Sequence, residues 1–480
     1  MKIKTLADYR QSLRHLGARI YVMGERVKDV TASPVLQPHI NCAGMTYELA
    51  NQPDCKDLLT ATSHLTGETI SRFTHIHQSP DDLVKKVKMM RLLGQQTSSC
   101  FQRCVGFDAL NAVYATTYDI DQKYSTDYHG RLKNYLAYIQ RENLMVVGGM
   151  TDPKGDRSLR PAEQPDPDMY VHIVDKRKDG IVVRGAKMHQ TGAANSHEIL
   201  VMPTLALTEG EKDYAVCFAL PLNSPGITLF FGRQVNDTRR LEGGKIDLGN
   251  YDYGIVGGEC VVTFEDVFVP EERVFMAGEV ESSRDLVTRF ATAHRQNYGG
   301  CRVGIADVMI GAIALLAEIQ GINKFSHIRE KLVDLVYLAE RLYACSLSCS
   351  AEGKPTPSGA YFADTMLANV TKLTASQVFY DLSRALHEIA GGFVATAPAE
   401  KDFKNPEEAK LLNKYFQCKA GVPAEYRIRL GRYIENITSS TPFLEFMHGA
   451  GSPQTQRAML FREADFEAKK RLAKKIVGIP

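Results

Sequence analysis

The spacing of apolar positions changes character twice along this chain of 480 residues. Up to about residue 145 it follows the helical interval of three to four. Residues 81–93 show that interval with acids at the start, where a helix dipole favours them. Residues 100–118 continue the same pattern and are expected to be helical. Pro153, Gly155, Pro161, Pro165 and Pro167 then interrupt it, and from Met169 the period shortens to two. Residues 169–174, 180–185, 214–219 and 260–264 are β-branched and aromatic, separated by Gly, Asp, Asn and Pro. They predict a compact antiparallel β domain of short strands, closed by a proline-terminated strand at 266–270. Beyond residue 280 the helical period returns. Residues 302–320, 324–350, 360–390 and 423–438 read as long helices with short polar joints, the pattern of an antiparallel bundle. The expected fold class is α+β: a helical N-terminal domain (1–147), a middle antiparallel β domain (148–278) and a C-terminal helical bundle (279–480).

Composition narrows the function classes. Hydrophobic content of 44%, charged content of 24% and a net charge of +2 describe an ordinary globular chain, with no nucleic-acid footprint and no polybasic membrane patch. The start, M-K-I-K-T-L-A-D-Y-R, is charged and amphipathic, unlike a signal peptide. The longest apolar run, 308–317, is too short to span a bilayer and is bracketed by Asp307 and Glu318. A soluble cytoplasmic protein is the expectation. No internal repeat, G-x-G-x-x-G after a strand, or phosphate-binding G-x-x-x-x-G-K-[ST] is present, so neither a Rossmann site nor a P-loop is supported.

Ten cysteines in so long a chain do not make a disulfide framework. Cys42, Cys55, Cys217, Cys260 and Cys418 stand alone and read as small buried hydrophobes. Cys100 and Cys104, in S-S-C-F-Q-R-C-V-G, are one turn apart if helical. His294, Tyr298 and Cys301, in H-R-Q-N-Y-G-G-C, share one helical face at i, i+4, i+7. Three thiolates and one imidazole are the donor count for a four-coordinate zinc or an iron–sulfur cluster. Gly299 and Gly300 are expected to leave room beside Cys301 for a bulky cluster or ligand. Spacing alone does not set these residues apart from Cys345 and Cys349, which have the same interval, and a lone His294 reads equally as a satisfied core histidine. Zinc, iron–sulfur and a thiol redox switch all stay open on spacing.

The surrounding motifs separate them. C-F-Q-R-C-V-G, M-T-D-P-K-G-D-R, H-Q-T-G-A-A-N-S-H-E, H-R-Q-N-Y-G-G-C and M-H-G-A-G-S-P-Q resemble the 4-hydroxybutyryl-CoA dehydratase family, which also carries vinylacetyl-CoA Δ-isomerase activity. The resemblance runs from the first helix to the final K-K-I-V-G-I-P. The wider family includes flavin-dependent 4-hydroxyphenylacetate 3-monooxygenases and shares the acyl-CoA dehydrogenase architecture, in keeping with the helix–β–helix order.

The resemblance implies a [4Fe–4S] cluster held by Cys100, Cys104, Cys301 and His294, and leaves out Cys345 and Cys349. It implies FAD along Met150, Thr151, Asp152, Lys154, Asp156 and Arg157, and along His189, Gln190, Thr191 and Gly192. A Gly391-Gly392 turn would come from a neighbouring subunit of a homotetramer. His294 is also the family's candidate base for the C2 proton, Tyr298 matches an active-site tyrosine, and Glu259 and Glu445 match site carboxylates. Arg302 stands where the family has lysine. It keeps the charge but needs more space and cannot donate a proton near neutral pH.

The implied reaction is radical dehydration of 4-hydroxybutyryl-CoA to crotonyl-CoA with vinylacetyl-CoA isomerisation, or the same chemistry on a related short acyl-CoA. Without the resemblance, residues 151–157 read as a solvated loop, His189, Gln190 and Thr191 as polar loop residues, and Gly391-Gly392 as a helix cap. Each glutamate then reads as a surface ion pair and Tyr298 as a packed tyrosine. Two alternatives are a flavin-dependent aromatic monooxygenase-like enzyme on the same fold and a non-enzymatic zinc or redox-sensor protein.

Overall fold

Short strands with apolar faces can be buried only against one another or against helices, and the chain does both. The structure, a computed structural model, describes residues 3–248, 253–254 and 257–480. Six strands form one sheet in the order Glu25–Val27, Ile20–Val22, Ile227–Phe231, Cys260–Pro270, Gly180–Lys187, His172–Arg177. Four form a second, in the order Val274–Ala277, Val216–Pro221, Glu198–Val201, Val146–Gly149. Phe218 and Phe264 meet edge to face between them at a centroid distance of 5.9 Å, in a core shared with the N-terminal helices. Most ladders are antiparallel, as expected. Two are parallel: Ile20–Val22 with Ile227–Phe231, and Val146–Gly149 with Glu198–Val201. Those added strands come from the N-terminal segment and are only three or four residues long, too short to show a period.

A 40-residue helix, Val280–Ile319, is the axis of the helical part. It packs against Pro80–Thr97, Cys104–Tyr124, Ser326–Ala351 and Thr365–Ala390. It is long and apolar enough to cross a membrane, yet more than half of its apolar stretch is buried among these neighbours. It begins well before the expected residue 302, so His294, Tyr298 and Cys301 all lie on it. The expected helix over 100–118 starts only at Cys104. Cys100 sits in the preceding loop, where Ser98 and Gln102 turn the chain at φ of 48° and 65°. Residues 360–364 are not helical either. Tyr361–Phe362 pairs with Lys354–Pro355, and the following helix starts at Thr365, capped by the Asp364 side chain.

The glycines beside Cys301 have a different use from the one expected. A Cβ on Gly300 would lie 2.5 Å from the Val87 carbonyl, and one on Gly94 would lie 2.5 Å from the Cys301 carbonyl. Gly299 is closed off by Ser346 and Gly304 by the Arg91 carbonyl. The missing side chains let Pro80–Thr97 and Ser326–Ala351 press onto the long helix. The space is filled by protein, not kept for a ligand.

Candidate active site

Three thiols approach from two sides. Cys104 is buried in the first turn of Cys104–Tyr124, Cys301 packs in the same apolar cluster from the long helix, and Cys100 reaches in from the loop. None is in a disulfide. Burial pushes the Cys104 thiol well above its ordinary value, and the neighbouring Cys301 and Asp108 push it further, against Arg302 and Lys86. Burial does the same to Cys100, helped by Glu445 and Cys104. Cys100 and Cys301 are partly covered, each raised by burial. Among the described residues, no three His, Cys, Asp or Glu side chains converge tightly enough for a single metal ion. Cys345 and Cys349 are elsewhere. Cys349 donates to the Asp364 carbonyl at 3.3 Å and packs with Leu83, Ala363 and Ala368.

His294 and Tyr298 lie one turn apart on the long helix, their rings edge to face with centroids 5.9 Å apart. One turn on, the Arg302 guanidinium lies 4.1 Å from the Phe446 ring centroid and 5.2 Å from that of Tyr298. Its Nη2 is 3.6 Å from Glu445, and its Nε is buried without a partner. Glu445 and Glu259 lie together. Thr191 Oγ1 donates to Glu259 Oε1 at 2.7 Å, while Glu259 Oε2 and Glu445 Oε1 are buried and unmatched by hydrogen-bond partners. Burial, then the charge of Glu445, pushes the Glu259 carboxyl well above the carboxylate range; Glu445 is raised by burial against Glu259 and Arg302. Two carboxylate charges side by side disfavour one another, and burial disfavours both.

The M-H-G-A-G turn is clamped from behind. A Cβ on Gly449 would run into the Tyr298 hydroxyl, and Ala450 adopts φ of 58°. Arg295 donates to the Ala450 carbonyl at 3.0 Å and to Asn369 at 2.6 Å. Lys372, fully buried, caps helix Thr441–His448 through the Phe446 and Met447 carbonyls at 2.9 and 3.1 Å, its Nζ 4.6 Å from the Tyr298 ring centroid. Burial, with Arg302 and Arg295 nearby, pulls its ammonium down to about 7. Neither Lys372 nor Arg295 has an acidic partner among the described residues.

The segments expected to bind flavin also meet. Thr151 accepts from the Met188 backbone at 2.8 Å and from Gln190 Nε2 at 3.2 Å. Gln190 pairs with Cys260, and the Gly192 N–H donates to the Gly258 carbonyl at 2.9 Å. Burial, then Lys154 and His448, lowers the His189 imidazole, so the T-D-P-K, H-Q-T-G and M-H-G turns adjoin. Asp152 faces inward, bonded to Lys187 Nζ at 2.5 Å and to Thr204, and Met150 receives the same lysine at 3.0 Å. These two anchor the loop from beneath. Asp156 and Arg157 are exposed. Gly391 and Gly392 stand apart, exposed at the end of Thr365–Ala390 with open space around them.

Of the nine non-glycine residues at positive φ among the described residues, five (Ser98, Gln102, Lys154, His189 and Ala450) border this region, the usual place for stored backbone strain. Sequence reasoning missed Asp108, Lys86, Arg295 and Lys372. Asp108 lies one turn beyond Cys104, and Lys86 interrupts the apolar stripe of Leu83, Val87 and Met90. Those two positions were the available signals.

The chain matches the 4-hydroxyphenylacetate 3-hydroxylase N-terminal family over residues 5–276 and its C-terminal counterpart over 283–478. It is 50% identical to a Clostridium aminobutyricum protein named 4-hydroxybutyryl-CoA dehydratase/vinylacetyl-CoA-Δ-isomerase, across 99% of this chain and 100% of that one. An oxygen-tolerant archaeal 4-hydroxybutyryl-CoA dehydratase from N. maritimus superposes with a TM-score of 0.97 at 45% identity, covering 100% of this chain and 96% of that one. The FAD complex of the oxygenase component of 4-hydroxyphenylacetate 3-monooxygenase superposes at 0.86 with 26% identity, covering 99% and 98%. The α+β, acyl-CoA dehydrogenase-like fold class is as expected. The chain belongs to the 4-hydroxyphenylacetate 3-hydroxylase family and, within it, to the group of the 4-hydroxybutyryl-CoA dehydratase/vinylacetyl-CoA-Δ-isomerases.

Proposed function

We propose that this chain is a hydro-lyase that dehydrates 4-hydroxybutyryl-CoA, or a closely related short acyl-CoA, to crotonyl-CoA by a radical route, and that it also isomerises vinylacetyl-CoA. The carrying observation is the gathering of three thiols and a buried pair of carboxyls beside the helical face of His294, in a chain half identical to a protein of that name.

The residues fit both cofactors. Cys104 lies close enough to both Cys100 and Cys301 to feel their charge, and none of the three is tied up in a disulfide, as the donor chemistry of a thiolate-bound cluster requires. Arg302 places buried positive charge beside all three thiols and Lys86 beside Cys104, able to balance the negative charge of a thiolate-bound cluster. Cys100, Cys104, Cys301 and His294 would hold a [4Fe–4S] cluster. The turns at 150–157 and 189–192 would hold FAD, with Lys154 and Arg157 as the cations for its pyrophosphate. The flavin would supply one-electron redox chemistry and the cluster a Lewis-acidic iron.

The protein's own part is proton handling and placement. His294 takes the C2 proton. Its Nδ1 is occupied by Asp108 at 2.7 Å, which leaves Nε2 as the nitrogen for the proton, and Nε2 is also the atom that would hold the cluster. The Glu259–Glu445 pair stores the one proton that departing hydroxide needs to leave as water. Arg302 holds the substrate carbonyl or hydroxyl through its unpartnered Nε edge. A homotetramer is part of the proposal. The last helix, Phe466–Val477, keeps Leu472, Ile476 and Val477 exposed, and the Gly391-Gly392 turn is free to reach a neighbour. Ten free cysteines accord with a reducing, cytoplasmic setting.

Protein purified without oxygen is expected to carry about four irons and one FAD per chain and to convert 4-hydroxybutyryl-CoA to crotonyl-CoA. Zinc-loaded protein, or flavoprotein inert toward both 4-hydroxybutyryl-CoA and vinylacetyl-CoA, would sink the reading. Cys301→Ala should lose iron and turnover while Cys345→Ala keeps both. Retained iron in the first variant contradicts the ligand set.

A further inference from the structure

Behind His294 lies a closed set of charges. The Asp108 carboxylate is completely enclosed. Its Oδ1 accepts from Lys86 Nζ at 2.6 Å; its Oδ2 accepts from His294 Nδ1 at 2.7 Å and from Asn297 Nδ2 at 2.5 Å. Lys86 is equally enclosed and spends its remaining protons on the Ala293 carbonyl at 2.9 Å and Gln296 Oε1 at 3.3 Å. Helices Pro80–Thr97, Cys104–Tyr124 and Val280–Ile319 each contribute to it.

A helix crossing does not need such a network. Apolar side chains of the same volume generally hold a crossing as well as a buried ion pair does. What apolar residues cannot do is select a ring nitrogen. A carboxylate only accepts, so the proton on this imidazole must sit on Nδ1. Lys86 and Asn297 fix the carboxylate, and the carboxylate fixes the ring plane. We infer that Asp108, held by Lys86 and Asn297, is the positioning residue for His294: it locks the Nδ1–H tautomer and keeps Nε2 as the one nitrogen available to iron and to the substrate proton. The inference rests on the proposed cluster site, and nothing in it requires Asp108 to touch substrate.

The test compares anaerobically purified wild type, Asp108→Asn, Lys86→Met/Asp108→Asn, His294→Ala and His294→Ala/Asp108→Asn. Iron and FAD content, thermal melting, and the rate at which mild oxidation converts the cluster to an EPR-active three-iron form are read for each. Asp108→Asn should melt near wild type with normal FAD but lose its fourth iron about 10- to 100-fold more readily. In the His294→Ala background the same change should add nothing. The Lys86→Met/Asp108→Asn variant, neutral overall, covers the case in which the single variant fails to fold: it should fold yet keep the iron-retention defect. Wild-type iron retention in either Asp108 variant, or a full additional loss on top of His294→Ala, overturns the inference and leaves the proposed function standing. Wild-type protein without iron–sulfur absorption overturns both.

Discussion

Gly449 has φ of −58°, a conformation open to any residue, so only the Tyr298 hydroxyl and the Glu445 carbonyl 2.8 Å from a Cβ keep it glycine. Gly449→Ala should therefore leave the helix intact but push Tyr298 off its place. A displacement of about 1 Å at a reacting centre can cost on the order of 100-fold. The variant is expected to lose 10- to 100-fold in kcat with iron and FAD contents unchanged, measured on anaerobic protein; an unaltered kcat would show that Tyr298 has slack. At this scale the sequence displayed the thiols, His294 and Tyr298 because they sit in short, distinctive motifs. It could not display the pairing of Glu259 with Glu445. Those residues are 186 positions apart (445 − 259) and act on each other's ionisation only once folding buries both. Lys86, a charge on an apolar stripe, was passed over in the sequence; burial against Asp108 accounts for it.

Helix Thr441–His448 carries Glu445, and its last carbonyls are tied down by one buried ammonium, Lys372. That ammonium titrates near 7 in the folded chain and at its ordinary 10.5 when unfolded. Between those values the unfolded chain binds the extra proton. Stability should accordingly rise with pH from about 7 toward 10, with the burial penalty fully present below 7. Lys372→Met should flatten that rise in thermal melts of flavin-loaded, iron-free protein; a rise that persists assigns it to another group. The variant should also lose activity, since the carbonyls it leaves uncapped belong to the turn that presents Glu445.

Element boundaries were the less legible part of the fold. Helix Cys104–Tyr124 starts late because Ser98 and Gln102 adopt left-handed backbone, which neither residue type announces. The strands Ile20–Val22 and Val146–Gly149 are set by partners far along the chain, not by any local alternation. The long helix was legible in its apolar half. Its first half carries His294, Arg295, Gln296 and Asn297 inward, which hides the period.

At the scale of the whole molecule, apolar side chains of the C-terminal helices have no cover within one chain: Phe461, Leu472 and Ile476 are 74%, 66% and 83% exposed. Leu472→Glu/Ile476→Glu should lower the mass seen by light scattering and reduce FAD occupancy with it. An unchanged mass would exclude this helix from the interface of the proposed homotetramer. The layout of the two thiol-bearing segments has a consequence in time. Cys104 and His294 are 190 residues apart (294 − 104). At roughly 5–20 residues per second of synthesis, the second half of the donor set leaves the ribosome about 10 to 40 s after the first. For that interval Cys100 and Cys104 are open thiols on an unfinished chain, vulnerable to oxidation before His294 and Cys301 exist. The proposed cluster can close only after Cys301 has been made, so any oxidation of Cys100 or Cys104 during that interval lowers the fraction of chains able to take it up.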